Sequence, residues 1–355
     1  MAYTGNTYGD LTPRQGPFAV REFLKRALPL LTIEKFGKQV PLPKNETKTI
    51  KFRRYFLVGG TGGYSGVTGD YNLPLALTPL TEGETPAGTK MAYKDESVDI
   101  AQYGNWTGFS DFFLDTHPDV PPVVSEFSDI LGEQAALTKE TLTYNVLKAG
   151  SQVFYANGTA RNQVNTTITL PMIRRVTRSF KNQNQQKITT VLASTPNYNT
   201  QPIEAAYIAL VHPNVENDIR NLDGFTSVAL YAQGKAFEGE IGRVEDVRFV
   251  SSTVFTAFAD AGGAFDGSGT AMLSTTGTSA DVYPIIFLAK EAFSIIPMRA
   301  NAATGSSPAT MAVVYPKVTE TDPLGQRGVA SWKMYHAALI TNPFGVIRGE
   351  VAATA

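Results

Sequence analysis

Acids and arginines alternate along one short stretch of this chain: Glu240, Arg243, Glu245, Asp246 and Arg248. Gly239 and Gly242 bracket Glu240 and Ile241, and an apolar, β-branched run from Phe249 to Phe255 follows. Carboxylates grouped in this way have two uses. They can exchange protons with a substrate, which requires one of them to stay protonated near neutral pH. They can instead pair with the arginines, which favours the ionised form and lowers the pKa. Arg243 and Arg248 follow the acids closely, so ion pairing within or between chains is the better reading. The glycines agree with it. Beside a buried strand they mark a bent backbone or the close approach of another segment.

Other residue types that could do chemistry lack their partners. The loop GGTGGYSG at 59–66 has no Lys-Ser/Thr after its last glycine and no apolar helix behind it, so it reads as a flexible connection, not a phosphate cradle. His117, His212 and His336 stand far apart, with no HExxH and no acid at metal-ligand spacing. The fragments GYSGV and DGSGT lack the pattern of a nucleophile elbow. The chain has no cysteine, which removes disulfides, thiolate metal sites and cysteine nucleophiles. Neither a catalytic residue nor a metal or cofactor site is expected.

Two basic clusters remain, Lys51/Arg53/Arg54 and Arg174/Arg175/Arg178/Lys181. They could meet phosphates, or acidic segments such as Glu82, Glu84, Asp95 and Glu96. The formal net charge is −1 over 355 residues, where a dedicated nucleic-acid binder carries a basic excess. Contact with protein is therefore favoured over contact with nucleic acid. Charged residues are only 18% of the chain, below the usual share of about 25%. Thr, Ser, Asn, Gln and Gly make the polar surface instead, which suits extended segments and a surface consumed by neighbours. No run of about 18 apolar residues is present, so no membrane span is expected.

The elements that must position these residues follow from periodicity. Residues 1–47 are punctuated by glycine and proline and read as an arm, with one short amphipathic piece from Phe18 to Leu31. KTIKFRRYFL (48–57) alternates as a strand, and ESVDIAQYG returns as its partner after a long glycine-rich excursion. Residues 120–148 carry the best helix, with Pro121 and Pro122 at its start, Gly150 past its end, and an apolar stripe of Val123, Phe127, Ile130, Leu131, Ala135, Leu142 and Val146. Val164–Leu170 reads as a strand and Met172–Lys181 as a short basic helix. Further strands are expected at 205–211, 282–289, 311–315 and 331–340, and a small-residue, exposed loop at 256–280. Mixed elements with strand excess and no internal repeat give an α+β class.

An arm, a long hairpin, a spine-like helix, a mixed sheet and a strand-rich C-terminus, in that order, resemble the major capsid protein of tailed phages, with its Hong Kong 97-type fold. KFRRY (51–55), LTPLTEGETP (77–86), DIAQYGNWTGFSD (99–111), GSQVFYANGTARNQV (150–164), HPNVENDI (212–219) and GEIGRVEDVRFVSS (239–252) are similar to motifs of its N-four-like branch. The resemblance implies an N-terminal arm at 1–47 and an extended loop at 48–103. It implies a peripheral domain at 104–202 with a spine helix at about 120–148, an axial domain at 203–325, and a return to the peripheral domain at 326–355.

It also implies assembly without catalysis. Hexamers and pentamers of this one chain would form an icosahedral shell around phage double-stranded DNA, built in the host bacterial cytoplasm. A separate scaffolding protein, a portal and decoration proteins would be partners, with weak non-specific DNA contact and no membrane. Arg53, Arg54, Glu82, Glu84, Gly239, Glu240, Gly242, Arg243, Glu245, Asp246 and Arg248 are the candidate inter-subunit or hinge contacts. The glycines of the opening stretch would form a bend between axial and peripheral parts, with Arg243 or Arg248 as a strut across the bend or across a subunit boundary. Competing readings are an encapsulin-like compartment shell, a glycine-rich-loop enzyme and a β-rich tail or adhesion protein.

Overall fold

The computed structural model describes residues 31–42, 47–55, 57–58, 72–73, 79–85, 93–116, 120–188, 205–230, 236–264, 272–297, 310–319 and 322–354. The amphipathic piece at 18–31 (all but its last residue), the glycine-rich excursion at 59–71 and His117 lie outside them. In chain order the elements begin with β1 (Lys38–Gln39), β2 (Thr49–Tyr55), β3 (Leu57–Val58), β4 (Asn72–Leu73), β5 (Tyr93–Asp99) and β6 (Ala101–Ser110). Two helices follow, α1 (Asp111–Thr116) and α2 (Val120–Lys148), then β7 (Val153–Tyr155) and α3 (Leu170–Asn182). Next come β8 (Tyr207–Val211), α4 (Glu216–Arg220), β9 (Phe225–Ser227), β10 (Glu240–Val244) and β11 (Val247–Ser251). The strands that follow are β12 (Tyr283–Leu288), β13 (Ser294–Ile295), β14 (Thr310–Val314), β15 (Arg327–His336), β16 (Ala338–Leu339) and β17 (Val346–Val351).

A seven-stranded sheet in the order β7-β17-β12-β8-β11-β10-β9 forms the centre. Its middle strands are apolar at nearly every position because both faces are covered. Tyr207, Ala209 and Val211 of β8 face one core with Met172, Ile173, Val176 and Phe180 of α3. Ile208 and Leu210 face the other core, with Tyr144 and Leu147 of α2 and with Ile33 and Phe36 of the arm. A second sheet, β14-β15-β6, lays Ala330, Trp332 and Met334 on the first half of α2, against Leu131 and Ala135. One helix thus spans two cores, and at 29 residues it is roughly 40 Å long.

That double duty rotates the buried stripe of α2. Ile130, expected inside, is exposed, while Ala136, Glu140, Thr143 and Tyr144 are buried. A second difference concerns Val164–Leu170, expected as a strand. It is an irregular connection into α3, whose first turn holds Pro171. Val164 and Ile168 are buried there as the alternation implied. The backbone, however, bonds outward: Val164 accepts from the Gly263 N–H and Thr166 from Ala352. The segment at 256–280, expected as an exposed loop, folds back in part. Gly262 and Gly263 are buried, and a Cβ on Gly262 would lie 2.3 Å from the Val164 carbonyl oxygen.

The hairpin β2–β5 pairs Thr49 with Asp99 through to Tyr55 with Tyr93, the antiparallel return expected from the alternation. No helix among the described residues is long and apolar enough to cross a membrane.

Candidate functional site

Strands β10 and β11 form a tight hairpin closed by Glu245 and Asp246, with Val244 opposite Val247. Glu245 takes the left-handed conformation at φ 49°, and Gly239 enters the hairpin at φ 77°. The register slips between Glu240 and Gly242, a bulge that needs its glycines. A Cβ on Gly242 would come within 2.6 Å of the Thr226 carbonyl oxygen on β9. Both glycines therefore serve inside the seven-stranded sheet, one for conformation and one for close approach.

The bulge aims Glu240 at Arg248. Nε and Nη2 of the arginine donate to the two carboxylate oxygens at 2.7 and 2.6 Å, and the side chains are 5% and 0% exposed. The Phe237 N–H donates to the same carboxylate at 2.8 Å, and its ring lies 4.4 Å from the Arg248 guanidinium carbon. The Arg248 strut thus closes within the chain. The turn acids reach α3 and the segment after it instead. Glu245 pairs with Arg174, and Asp246 with Lys181 at 2.7 Å and Lys187 at 2.8 Å. Hydrogen bonds from these two lysines hold the Asp246 carboxyl below its ordinary pKa. Arg243 lies half-buried, opposite Arg248 in the ladder.

The basic cluster at the base of the long hairpin is arranged differently. Arg53 meets Asp95 on the opposite strand through two hydrogen bonds of 2.8 Å, and its guanidinium stacks 3.9 Å from the Tyr93 ring centre. That contact lowers the Asp95 pKa. Arg54 stacks on Phe344 and lines an open groove of about 750 Å³ with Arg53, Lys38, Lys290 and Glu291. Glu82 and Glu84 sit in an exposed turn closed by Glu84 N–H to the Thr81 carbonyl at 3.2 Å, with Gly83 at φ 84°. Neither acid has an ion-pair partner among the described residues, and Leu80 beside them is 76% exposed. Large apolar side chains are exposed elsewhere too: Trp106 on β6, Phe112 on α1, and Ile130 and Leu137 on α2.

Some organising residues escaped the sequence reading. Glu350 is fully buried on β17 between Arg161 and Arg348, at 2.8 and 2.9 Å. Glu140 is buried on α2 and accepts from the backbone N–H groups of Thr32 and Ile33. Its signal was available: an acid between Ala136 and Tyr144 on an apolar helix face. No group of acids and histidines able to hold a metal occurs among the described residues. The geometry is one of struts, exposed hairpins and uncovered apolar side chains.

A family model described as phage capsid protein matches residues 93–349. The chain belongs to the phage capsid protein family. No curated protein matches it. Its fold is similar to the capsid of Ralstonia phage GP4, with a TM-score of 0.60, 13% identity, and 91% of each chain covered. It is also similar to the capsid of cyanophage Pam1, with a TM-score of 0.51, 14% identity and both chains covered fully. The head structure of Helicobacter pylori bacteriophage KHP40 gives a TM-score of 0.53 at 10% identity, covering 99% of this chain and 95% of that one. At such identities the likeness is one of fold: α+β, Hong Kong 97-type. This phage capsid protein is a structural component of the virion shell, and multimeric assembly is its function.

Proposed function

We propose that this capsid protein builds an icosahedral shell from hexamers and pentamers of a single chain. In this reading the shell encloses double-stranded phage DNA, and no catalysis is involved. The observation that carries it is the uncovered surface. An ion-paired hairpin leads to an exposed acidic turn with Leu80, and Trp106, Phe112 and Ile130 lie open. Such surface is costly on a monomer and ordinary at a subunit boundary. The division into arm (1–47), extended loop (48–103), peripheral (104–202 and 326–355) and axial (203–325) parts belongs to this proposal. So do assembly in the host bacterial cytoplasm, a separate scaffolding protein, a portal, decoration proteins and weak contact with DNA.

Among the eleven candidate contact residues, Glu82, Glu84, Arg53 and Arg54 are assigned to the subunit boundary. Glu240 and Arg248, with Gly239, Gly242, Arg243, Glu245 and Asp246, brace the hairpin that the boundary leans on. Electron microscopy of purified protein tests the reading: shells or capsomers of hexamer and pentamer outline are expected. A monodisperse monomer or dimer under all assembly conditions overturns it.

A further inference from the structure

The arm meets α2 through an acid that has no reason to be there unless it is used. Glu140 sits in the C-terminal third of the helix and is buried, between Ala136 and Tyr144. One of its oxygens, Oε1, accepts the backbone N–H groups of both Thr32 and Ile33, the latter at 2.9 Å. Those are the residues that open the 3₁₀ turn Ile33–Lys35, so Glu140 acts as a cap supplied from another element. Its other oxygen, Oε2, is buried with no hydrogen-bond partner. A second buried oxygen, Oε1 of Glu34, is ion-paired with Lys139. A buried carboxyl with an orphaned oxygen and the ion-paired Glu34 thus lie together where the arm crosses the helix.

We propose that Glu140 is a proton-operated latch for the arm: as the neutral acid it holds residues 32–36 on α2, donating from Oε2 toward Glu34, and its ionisation loosens them. Burial pushes the Glu140 carboxyl up from 4.5 to about 7, the Ile33 and Thr32 N–H groups and the Lys139 charge oppose the shift, and the Glu34 charge adds to it. The surrounding charges are accounted for. From α2 itself, Lys139 is engaged by Glu34. On the arm, Lys35 turns outward to Glu238. From β15, His336 bonds Thr143 and stays neutral, since burial lowers it to about 4.

The sign follows from the raised value. Docking is strongest below the ordinary carboxyl pKa. It weakens as pH rises through the window from 4.5 to about 7, by about tenfold in the opening constant per pH unit, then levels off. Hydrogen exchange of the 355-residue chain, corrected for intrinsic rates, reads this directly at residues 33–36. Glu140→Gln keeps the acceptor and replaces the proton by an amide, so the arm stays protected across the range and the pH dependence vanishes. Glu34→Gln removes the like charge, so the wild-type loosening levels off at a lower pH. Infrared difference spectra at about pH 6 should show a protonated carboxyl band that is lost in Glu140→Gln. Flat wild-type protection between about pH 5 and pH 8 overturns the proposal. So does a wild-type pH profile retained in Glu140→Gln.

Discussion

At the scale of single residues, the Glu240–Arg248 pair is the sharpest contact in the chain. Both side chains are out of water, and each carboxylate oxygen has an arginine donor. Removing one member of such a pair takes the counter-ion from a buried charge, which costs about 3–5 kcal/mol. Arg248→Met should therefore lower the denaturation midpoint sharply. The double variant Glu240→Gln/Arg248→Met, which leaves no charge, should recover most of the loss. Arg248→Glu should behave worst, because it puts two carboxylates in one dry site; it fails by misfolding before assembly is reached. Chemical denaturation of the three variants checks the order. An Arg248→Met protein as stable as wild type would show that the pair contributes nothing to the fold.

A second residue, His336, has the opposite habit. Burial lowers it to about 4, so the native state excludes its proton. A base with a depressed folded pKa contributes stability that is present above its unfolded value near 6.5 and is lost as pH falls toward about 4. The full span corresponds to roughly 3 kcal/mol. Glu140 titrates over much the same window with the reverse sign, so the two mask each other in the wild type. With Glu140→Gln in both proteins, His336→Asn should flatten the acid limb of denaturant midpoint against pH.

At the scale of elements, what the sequence made legible depended on whether one signal or two set the backbone. The hairpin β2–β5 was readable because Ile50 and Phe52 alternate with Lys51 and Arg53, and only one face is covered. Helix α2 was readable as a helix from its proline start and glycine stop. Its buried face was not, because it packs against two sheets in turn. Val164–Leu170 carried the alternation of a strand without pairing as one. Burial periodicity reports which side chains are inside; the hydrogen-bond partners, here Gly263 and Ala352, come from distant segments. The charged stretch at 239–248 was legible as an ion-paired bend. That its arginine closes within the chain depended on the bulge at Glu240, which spacing alone does not reveal. The same bulge makes a prediction at this scale. Gly242→Ala drives a methyl against the Thr226 carbonyl at 2.6 Å. It should cost about 1–3 kcal/mol and weaken exchange protection along β9, measurable residue by residue.

At the scale of the whole molecule, the remaining question is where the shell contacts lie. Two sets of residues separate by burial. Struts such as Glu240–Arg248 and Glu350 with its two arginines act inside one chain, and changing them changes folding. Side chains such as Trp106 face solvent: it is 67% exposed on β6, the outer strand of the sheet β14-β15-β6 among the described residues. Surface substitutions of this kind stay within about 0.5 kcal/mol, whereas a tryptophan buried at a subunit boundary is the residue type that costs most to remove. Trp106→Ser should therefore melt like the wild type yet give a lower yield of shells, read by sedimentation and electron microscopy of the same preparation. Equal shell yield from Trp106→Ser would take that face of β6 out of the assembly contacts, and a lowered melting point would reassign the tryptophan to the fold of the single chain.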